Sequence, residues 1–349
     1  METNTADWAN ALPNNPDIFP HQLDLIKDQV LLVKLSAAER KAASFLDQRV
    51  FTPNTQGAWL PWQTVNQKAP ASSSEKVAHF IFHVGHCGST LLSRLLGVVP
   101  NVESLREPLI LRTLAQDTAD NLGGRSLLAR QEQQQRLQAL SYLWARGADN
   151  TVIKATSICT DLMPDVLSFA PTAKSIFIYN RLETHLETLL AGQNSLIDLK
   201  SFAQLRILRL QQVTNIDLRL EELKLGQLAA LSWLSETTRA AITLDRFQSQ
   251  ITLLDFEALL KNPVDTLWQI MRFLNLPATK EMAAQAINSP IMQTYSKAPE
   301  YQYNATTRSS LLSEARANHH TEIKKGLQWV DDLAQESPVI RKTLEIFNG

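Results

Sequence analysis

The residues whose types and spacing most clearly carry chemistry are Gly85, His86, Cys87, Gly88, Ser89 and Thr90. They follow the apolar run from His79 to Val84 and precede the amphipathic run Leu91-Leu-Ser-Arg-Leu-Leu96. That order predicts a strand, a glycine-flanked loop and a helix that opens on hydroxyl residues. The first N–H groups of a helix have no partner within it and the helix dipole is positive there, so a phosphate or sulfate fits at such a point. Gly85 and Gly88 let the backbone turn sharply and approach the anion, while Ser89 and Thr90 add hydroxyl donors. The bland alternative for the same six residues is a tight turn with no ligand.

A nucleoside triphosphatase loop has Gly, four residues, then Gly-Lys-Ser or Gly-Lys-Thr, with the Lys on the terminal phosphates. Here the next glycine after Gly85 is Gly88, and Ser89 stands where the Lys would be. A standard ATP or GTP hydrolysis site is disfavoured. The loop resembles instead the shorter 5′-phosphosulfate loop of the sulfotransferase family: Lys or Arg, Ser, Gly, Thr or Ser, Thr. In that resemblance His86 takes the basic position, Cys87 the Ser, Gly88 the Gly, and Ser89 and Thr90 the two hydroxyls. Two replacements stand out. An imidazole ordinarily titrates near ~6.5, so it is only partly charged at neutral pH. A thiol is a weaker donor than a hydroxyl.

The resemblance continues in order along the chain, over roughly residues 79 to 277. Thr151-Val-Ile-Lys154 is similar to a family strand ending in Lys. The run from Ala173 to Arg181 resembles the 3′-phosphate segment, where an Arg after an apolar strand is followed by a hydroxyl on the next helix; the family spacing falls on Leu189, one residue past Thr188. The stretch from Ile251 to Pro263, followed by the stretch from Leu267 to Pro277, resembles the family's late strand and helix pair. The resemblance implies a P-loop-type α/β fold of three layers, a parallel sheet with helices on both faces. It also implies transfer of a sulfuryl group from 3′-phosphoadenosine-5′-phosphosulfate (PAPS) to a hydroxyl or amine, with no metal. Gly85, His86, Cys87, Gly88, Ser89, Thr90, Arg181 and Thr188 would then bind the donor. His86 and Lys154 would supply positive charge, and Glu107, in Leu105-Arg-Glu-Pro-Leu109, the base.

Each assignment has a plainer counterpart. The counterpart for Arg181 is a surface ion pair, for Lys154 an ordinary strand-end lysine, and for Glu107 a helix-entry or surface carboxylate. Cys87 reads better as a small packing residue than as a nucleophile. Lys324-Lys325-Gly326 invites comparison with a basic 3′-phosphate loop but lies in a helical stretch from Thr321 to Leu333; Ser296-Lys297 is another late candidate. His185 and the pair His319-His320 have no fixed set of co-ligands for a metal. Two other functions stay open. A phosphotransferase would use Asp255, at the end of an apolar strand, to hold Mg²⁺. A non-catalytic module would bind a nucleotide or sulfated ligand and transfer nothing.

The elements that must position these residues follow from periodicity. Strands are expected at 79–84, 151–154, 174–179 and 251–255, alternating with helices, the signature of a parallel sheet covered on both faces. Ligands in such sheets sit beyond the carboxyl ends of the strands, where Gly85, Lys154 and Arg181 fall. Residues 20–48 read as helical from Leu23, Ile26, Val30, Leu31 and Val33, and residues 199–242 as a helical pair interrupted near Gly226. Residues 1–76 are expected to be a partly helical extension, with Trp59, Leu60 and Trp62 docking it on a sulfotransferase-like domain over 77–349.

Composition bounds the rest. In 349 residues, 44% hydrophobic and 20% charged, there is ample material for a core. A formal net charge of −1 gives no general attraction to nucleic acid or anionic membranes. Two cysteines make no disulfide framework. The polar, acidic start and the lack of an apolar run of about 18 residues lead to the expectation of a cytoplasmic protein without a membrane span. Nothing in the sequence separates a small-molecule acceptor from a glycan or peptide, or sets an oligomeric state.

Overall fold

The computed structural model describes residues 5–69, 76–192, 195–296, 302 and 304–348. Its first surprise is that most of 20–48 is not helical. A three-stranded antiparallel sheet is built from β1 (Ile18–Asp24), β2 (Gln29–Lys34) and β3 (Gly57–Pro61), in the order β1-β2-β3. The cause is local. The Asp24 carboxylate accepts hydrogen bonds from the N–H groups of Ile26 and Lys27, closing a turn that competes with helix. Asp28 then adopts a left-handed φ of 53°, and Val30, Leu32 and Val33 are buried in β2, where β-branched residues pack well. Leu60 and Trp62 are buried, as docking requires, whereas Trp59 is partly exposed.

The central sheet consists of β4 (Ala78–His83), β5 (Val102–Arg106), β6 (Asn150–Lys154), β7 (Ser175–Tyr179) and β8 (Ile251–Asp255). All are parallel, in the order β5-β6-β4-β7-β8, with helices on both faces. β4 and β7 are buried along their whole length, as double-sided cover requires. The strand not anticipated is β5, Val-Glu-Ser-Leu-Arg. Its charged residues hide the apolar signal but are neutralised by neighbours: Glu103 accepts from Arg40 at 2.6 Å, and the buried Arg106 guanidinium donates to the carbonyls of Arg40, Lys41, Ala43 and Ser104. The same bonds fasten the amino-terminal segment to the central sheet, as do Trp144 Nε1 to the Pro20 carbonyl (3.1 Å) and Arg136 to Asp28 (2.7 Å). Buried apolar residues from Trp8 to Phe347 form one continuous cluster.

The helical pair also differs from expectation. The interruption lies over 212–224, and Gly226 sits in the first turn of the helix Leu225–Arg246. This glycine permits close helix crossing: a Cβ there would lie 1.8 Å from the Glu322 carbonyl oxygen, and one at Gly326 would lie 2.6 Å from that of Gly226. Gly326 is thus a packing residue within the helix Ala305–Glu336, and Lys325 pairs with Glu322 at 2.7 Å.

Two buried histidines make stability depend on pH. Burial, reinforced by the nearby Lys174 charge, pushes His79 down to about 4. Burial, then the charges of His86 and Arg206, pushes His185 down to about 3. The unfolded chain therefore binds protons that the folded chain refuses. Stability is full above the ordinary imidazole range and falls as pH drops from about 6.5 toward 4 and 3, at roughly 1.4 kcal/mol per histidine per pH unit. Urea titrations at pH 7 and pH 5 should show the loss, and His185→Leu should flatten the slope; equal stability at the two pH values would refute this account.

Candidate functional site

β4 delivers the loop. His83, at its end, is buried; its Nδ1 accepts the Gly85 N–H at 2.9 Å, so the proton is on Nε2, which donates to the Ala155 carbonyl at 2.9 Å. One neutral imidazole thus ties the start of the loop to the chain leaving β6. Gly85, His86 and Gly88 have φ of 85°, 51° and 74°, while Cys87 between them does not have a positive φ. Alternation of backbone hand is the arrangement that turns successive N–H groups toward a common concavity. Gly88 precedes the helix Ser89–Leu96, and a Cβ on it would lie 2.0 Å from the ring of Phe256, the first residue after β8. The position therefore excludes side chains on two grounds, conformation and space.

Within the loop the side chains divide. Cys87 is buried and its thiol donates to the Ile178 carbonyl at 3.2 Å, so only its backbone remains for a ligand. His86 is exposed, and its carbonyl accepts from Asn180 Nδ2 at 3.2 Å. Asn180 is held in turn by Trp233, whose indole N–H donates to its carbonyl at 2.8 Å. Ser89 and Thr90 are both buried. Thr90 Oγ1 and Asn180 Oδ1 are buried without a hydrogen-bond partner among the described residues. A ligand or water at the loop would satisfy both.

At the ends of β5 and β6, Arg106 lies opposite Lys154, and the next residue, Glu107, forms an ion pair with the Lys154 ammonium. The Lys154 side chain is 1% exposed and that of Glu107 19%. Glu107 also donates its N–H to the Lys154 carbonyl at 2.7 Å and lies 3.5 Å from the Thr156 hydroxyl. Its φ is 54°, a conformation that costs a non-glycine residue about 1–3 kcal/mol. Lys154 and Glu107, considered separately in the sequence, are thus one unit.

Arg181 follows β7 and precedes the helix Leu182–Ala191, its side chain 56% exposed and its Nε 3.4 Å from Asp255 Oδ2. Asp255 Oδ1 accepts the Glu257 N–H at 3.0 Å, capping the helix Phe256–Lys261. Both oxygens of the carboxylate considered for Mg²⁺ are thereby engaged. Thr188 lies two turns into the helix after Arg181, and its hydroxyl donates to the Thr184 carbonyl at 2.7 Å; it is occupied by its own helix. The Ser296 carbonyl accepts from Arg94 at 2.8 Å, and Lys297 lies outside the described residues. A cleft of about 560 Å³ is lined among others by Glu257, Lys261, Arg308 and Arg316. Among the described residues no group of three or more His, Cys, Asp or Glu is arranged to hold a metal ion, and no helix is long and apolar enough to cross a membrane.

The geometry adds His83, Asn180 and Phe256 to the residues that shape the loop. A polar residue closing a buried strand was a usable signal for Asn180. Phe256 had none, because its role lies in meeting Gly88 across the sheet.

The fold is of the α/β class, an open parallel sheet with the Gly85–Thr90 loop at the carboxyl end of its central strand. No family model matches the chain, and no curated protein matches it. Solved structures that it resembles include the sulfotransferase domain from the curacin biosynthetic pathway, at 16% identity over 70% of this chain and 96% of that one, with a TM-score of 0.40. Others are the sulfotransferase domain of the Synechococcus PCC 7002 olefin synthase (14% identity, 70% and 96% covered, TM-score 0.36) and a sulfotransferase from Mycobacterium avium (12%, 91% and 97%, TM-score 0.38).

Proposed function

We propose that this protein transfers a sulfuryl group from PAPS to a hydroxyl or amine. The observation that carries the reading is the set of groups at the carboxyl ends of four neighbouring strands. The Gly85–Thr90 loop with its orphan Thr90 hydroxyl follows β4, the Lys154–Glu107 pair sits on β5 and β6, and Arg181 follows β7. This is the binding edge of an open parallel sheet, and the ordered sequence resemblance supports assigning the donor site to it.

The residues fit an anionic donor. Backbone N–H groups of the loop and the hydroxyls of Ser89 and Thr90 would hold its 5′ end, which satisfies the buried Thr90 oxygen. Arg181, with more than half of its side chain in solvent, would take the 3′-phosphate by charge-assisted hydrogen bonds; Thr188 assists only by leaving its own helix bond. When bound, PAPS supplies an activated sulfuryl group and a phosphate leaving group. Glu107 accepts the proton that the acceptor oxygen or nitrogen loses as it bonds to sulfur. Lys154 holds that carboxylate in place, and its positive charge, with that of a protonated His86, opposes the charge growing on the leaving oxygen.

Calorimetric titration with 3′-phosphoadenosine-5′-phosphate and, separately, with ATP–Mg²⁺ tests the reading. The 3′-phosphorylated nucleotide should bind at micromolar concentration, on the order of −8 kcal/mol, and Arg181→Ala should weaken it about 10- to 100-fold, the worth of a charge-assisted contact. Preference for ATP–Mg²⁺ would favour the phosphotransferase instead. No binding of either nucleotide would sink the proposal.

A further inference from the structure

The segment from Ala43 to Arg49 belongs, by position in the chain, to the antiparallel amino-terminal part, yet it ends beside the Lys154–Glu107 pair. Leu46 brackets Glu107 along the backbone: its N–H donates to the Arg106 carbonyl at 2.7 Å, and its carbonyl accepts the Leu109 N–H at 3.2 Å. Ser44 is tied to the loop helix, its hydroxyl accepting from Arg94 at 2.9 Å. Between these anchors Phe45 is buried. Its ring centre lies 6.0 Å from Lys154 Nζ and 4.1 Å from the Arg49 guanidinium carbon. Hydrogen bonds to Asp47, and further the charges of Asp47 and Glu107, raise the Arg49 guanidinium above its ordinary value.

An aromatic ring against a buried ammonium does two things. Its π face attracts the cation, and its bulk keeps water from the cation's other partners. Exclusion of water strengthens the ion pair and fixes its geometry. We infer that the amino-terminal segment is a wall of the active site, with Phe45 a positioning residue that shields the Lys154–Glu107 pair from solvent. The significance of the shield for catalysis rests on the proposed function; the shielding itself does not. A consequence is that the segment after the helix Ala37–Ala42 is part of the working site, held there by Arg106 through the carbonyls of Arg40, Lys41 and Ala43.

The test uses the full chain and acetic anhydride as a small amine probe, with acetylation of each lysine followed by peptide mass mapping and the exposed Lys200 as internal reference. In Phe45→Ala the Lys154 rate relative to Lys200 should rise about tenfold, because a local opening replaces a packed ring. Phe45→Tyr should keep it near the wild-type value. A ring that merely stabilises the whole fold would also speed acetylation of the half-buried Lys68 and Lys174 and lower affinity for 3′-phosphoadenosine-5′-phosphate. The shield predicts a change confined to Lys154 with nucleotide binding intact. A wild-type Lys154 rate in Phe45→Ala, or a general rise, overturns the inference. Should Phe45→Ala fail to fold, Phe45→Leu, which keeps much of the volume but not the π face, carries the same comparison with a smaller expected rise. Failure of the parent reading is separately visible, as absence of nucleotide binding by the wild-type protein.

Discussion

Replacing Glu107 by glutamine should lower turnover by about 10²- to 10⁴-fold, the usual worth of a general base, and leave nucleotide affinity unchanged. The substitution conserves size and keeps an oxygen that can accept from Lys154, whose ammonium is buried and needs an acceptor. What it removes is the capacity to take a proton. Charge is also lost from a mostly buried pair, and breaking such a pair outright costs about 3–5 kcal/mol. Because the glutamine oxygen still accepts a hydrogen bond, the stability change should be smaller, and thermal unfolding recorded alongside separates the two effects. The readout is release of 3′-phosphoadenosine-5′-phosphate from PAPS in the presence of pooled phenolic, sugar and amine acceptors. If Glu107→Gln turns over like the wild type, the carboxylate is only the structural partner of Lys154 and the base lies elsewhere.

Gly88→Ala is the second large effect, and it acts on binding. Alanine at a φ of 74° is strained by about 1–2 kcal/mol, and its methyl group would lie 2.0 Å from the Phe256 ring. One of the two must move. Overpacking of this kind adds about 1–3 kcal/mol, and a shift of the loop displaces the N–H groups that would hold an anion. We expect a stability loss of about 2–5 kcal/mol and a fall in affinity for 3′-phosphoadenosine-5′-phosphate of more than about 100-fold. Adding Phe256→Leu should recover part of the stability by removing the overlap but not the strain at φ. Unchanged affinity in Gly88→Ala would show that the loop is a tight turn and not an anion site.

Cys87 shows why a motif read by position needs its environment. In linear register it stands at a hydroxyl position of the resembled loop, yet its thiol turns inward to the Ile178 carbonyl. In the proposed site that residue would offer an anion its N–H alone, and the replacement of a hydroxyl there removes less than the sequence suggested. Asp255 is a similar case in reverse. At the end of an apolar strand it looked available for a cation, but one oxygen caps a helix and the other meets Arg181.

What the sequence by itself determined is local. Periodicity and glycine punctuation marked the strand, loop and helix around Gly85–Thr90, and four of the five parallel strands now ordered β5-β6-β4-β7-β8; apolar runs between helical stretches imply such a sheet without further information. Short-range signals failed where polar residues were satisfied from a distance, as in β5 with its Arg40 and Arg106 bonds, and where a turn outcompeted helix, as at Asp24. Only the tertiary structure decided that Lys154 and Glu107 form one pair, that Phe256 makes Gly88 obligatory, and that Phe45 covers the pair. Lys154 and Glu107 are 47 residues apart in the chain, and their meeting depends on the register of β5 against β6. Register and packing between distant segments are set by the whole core, so no window of sequence around either residue contains them.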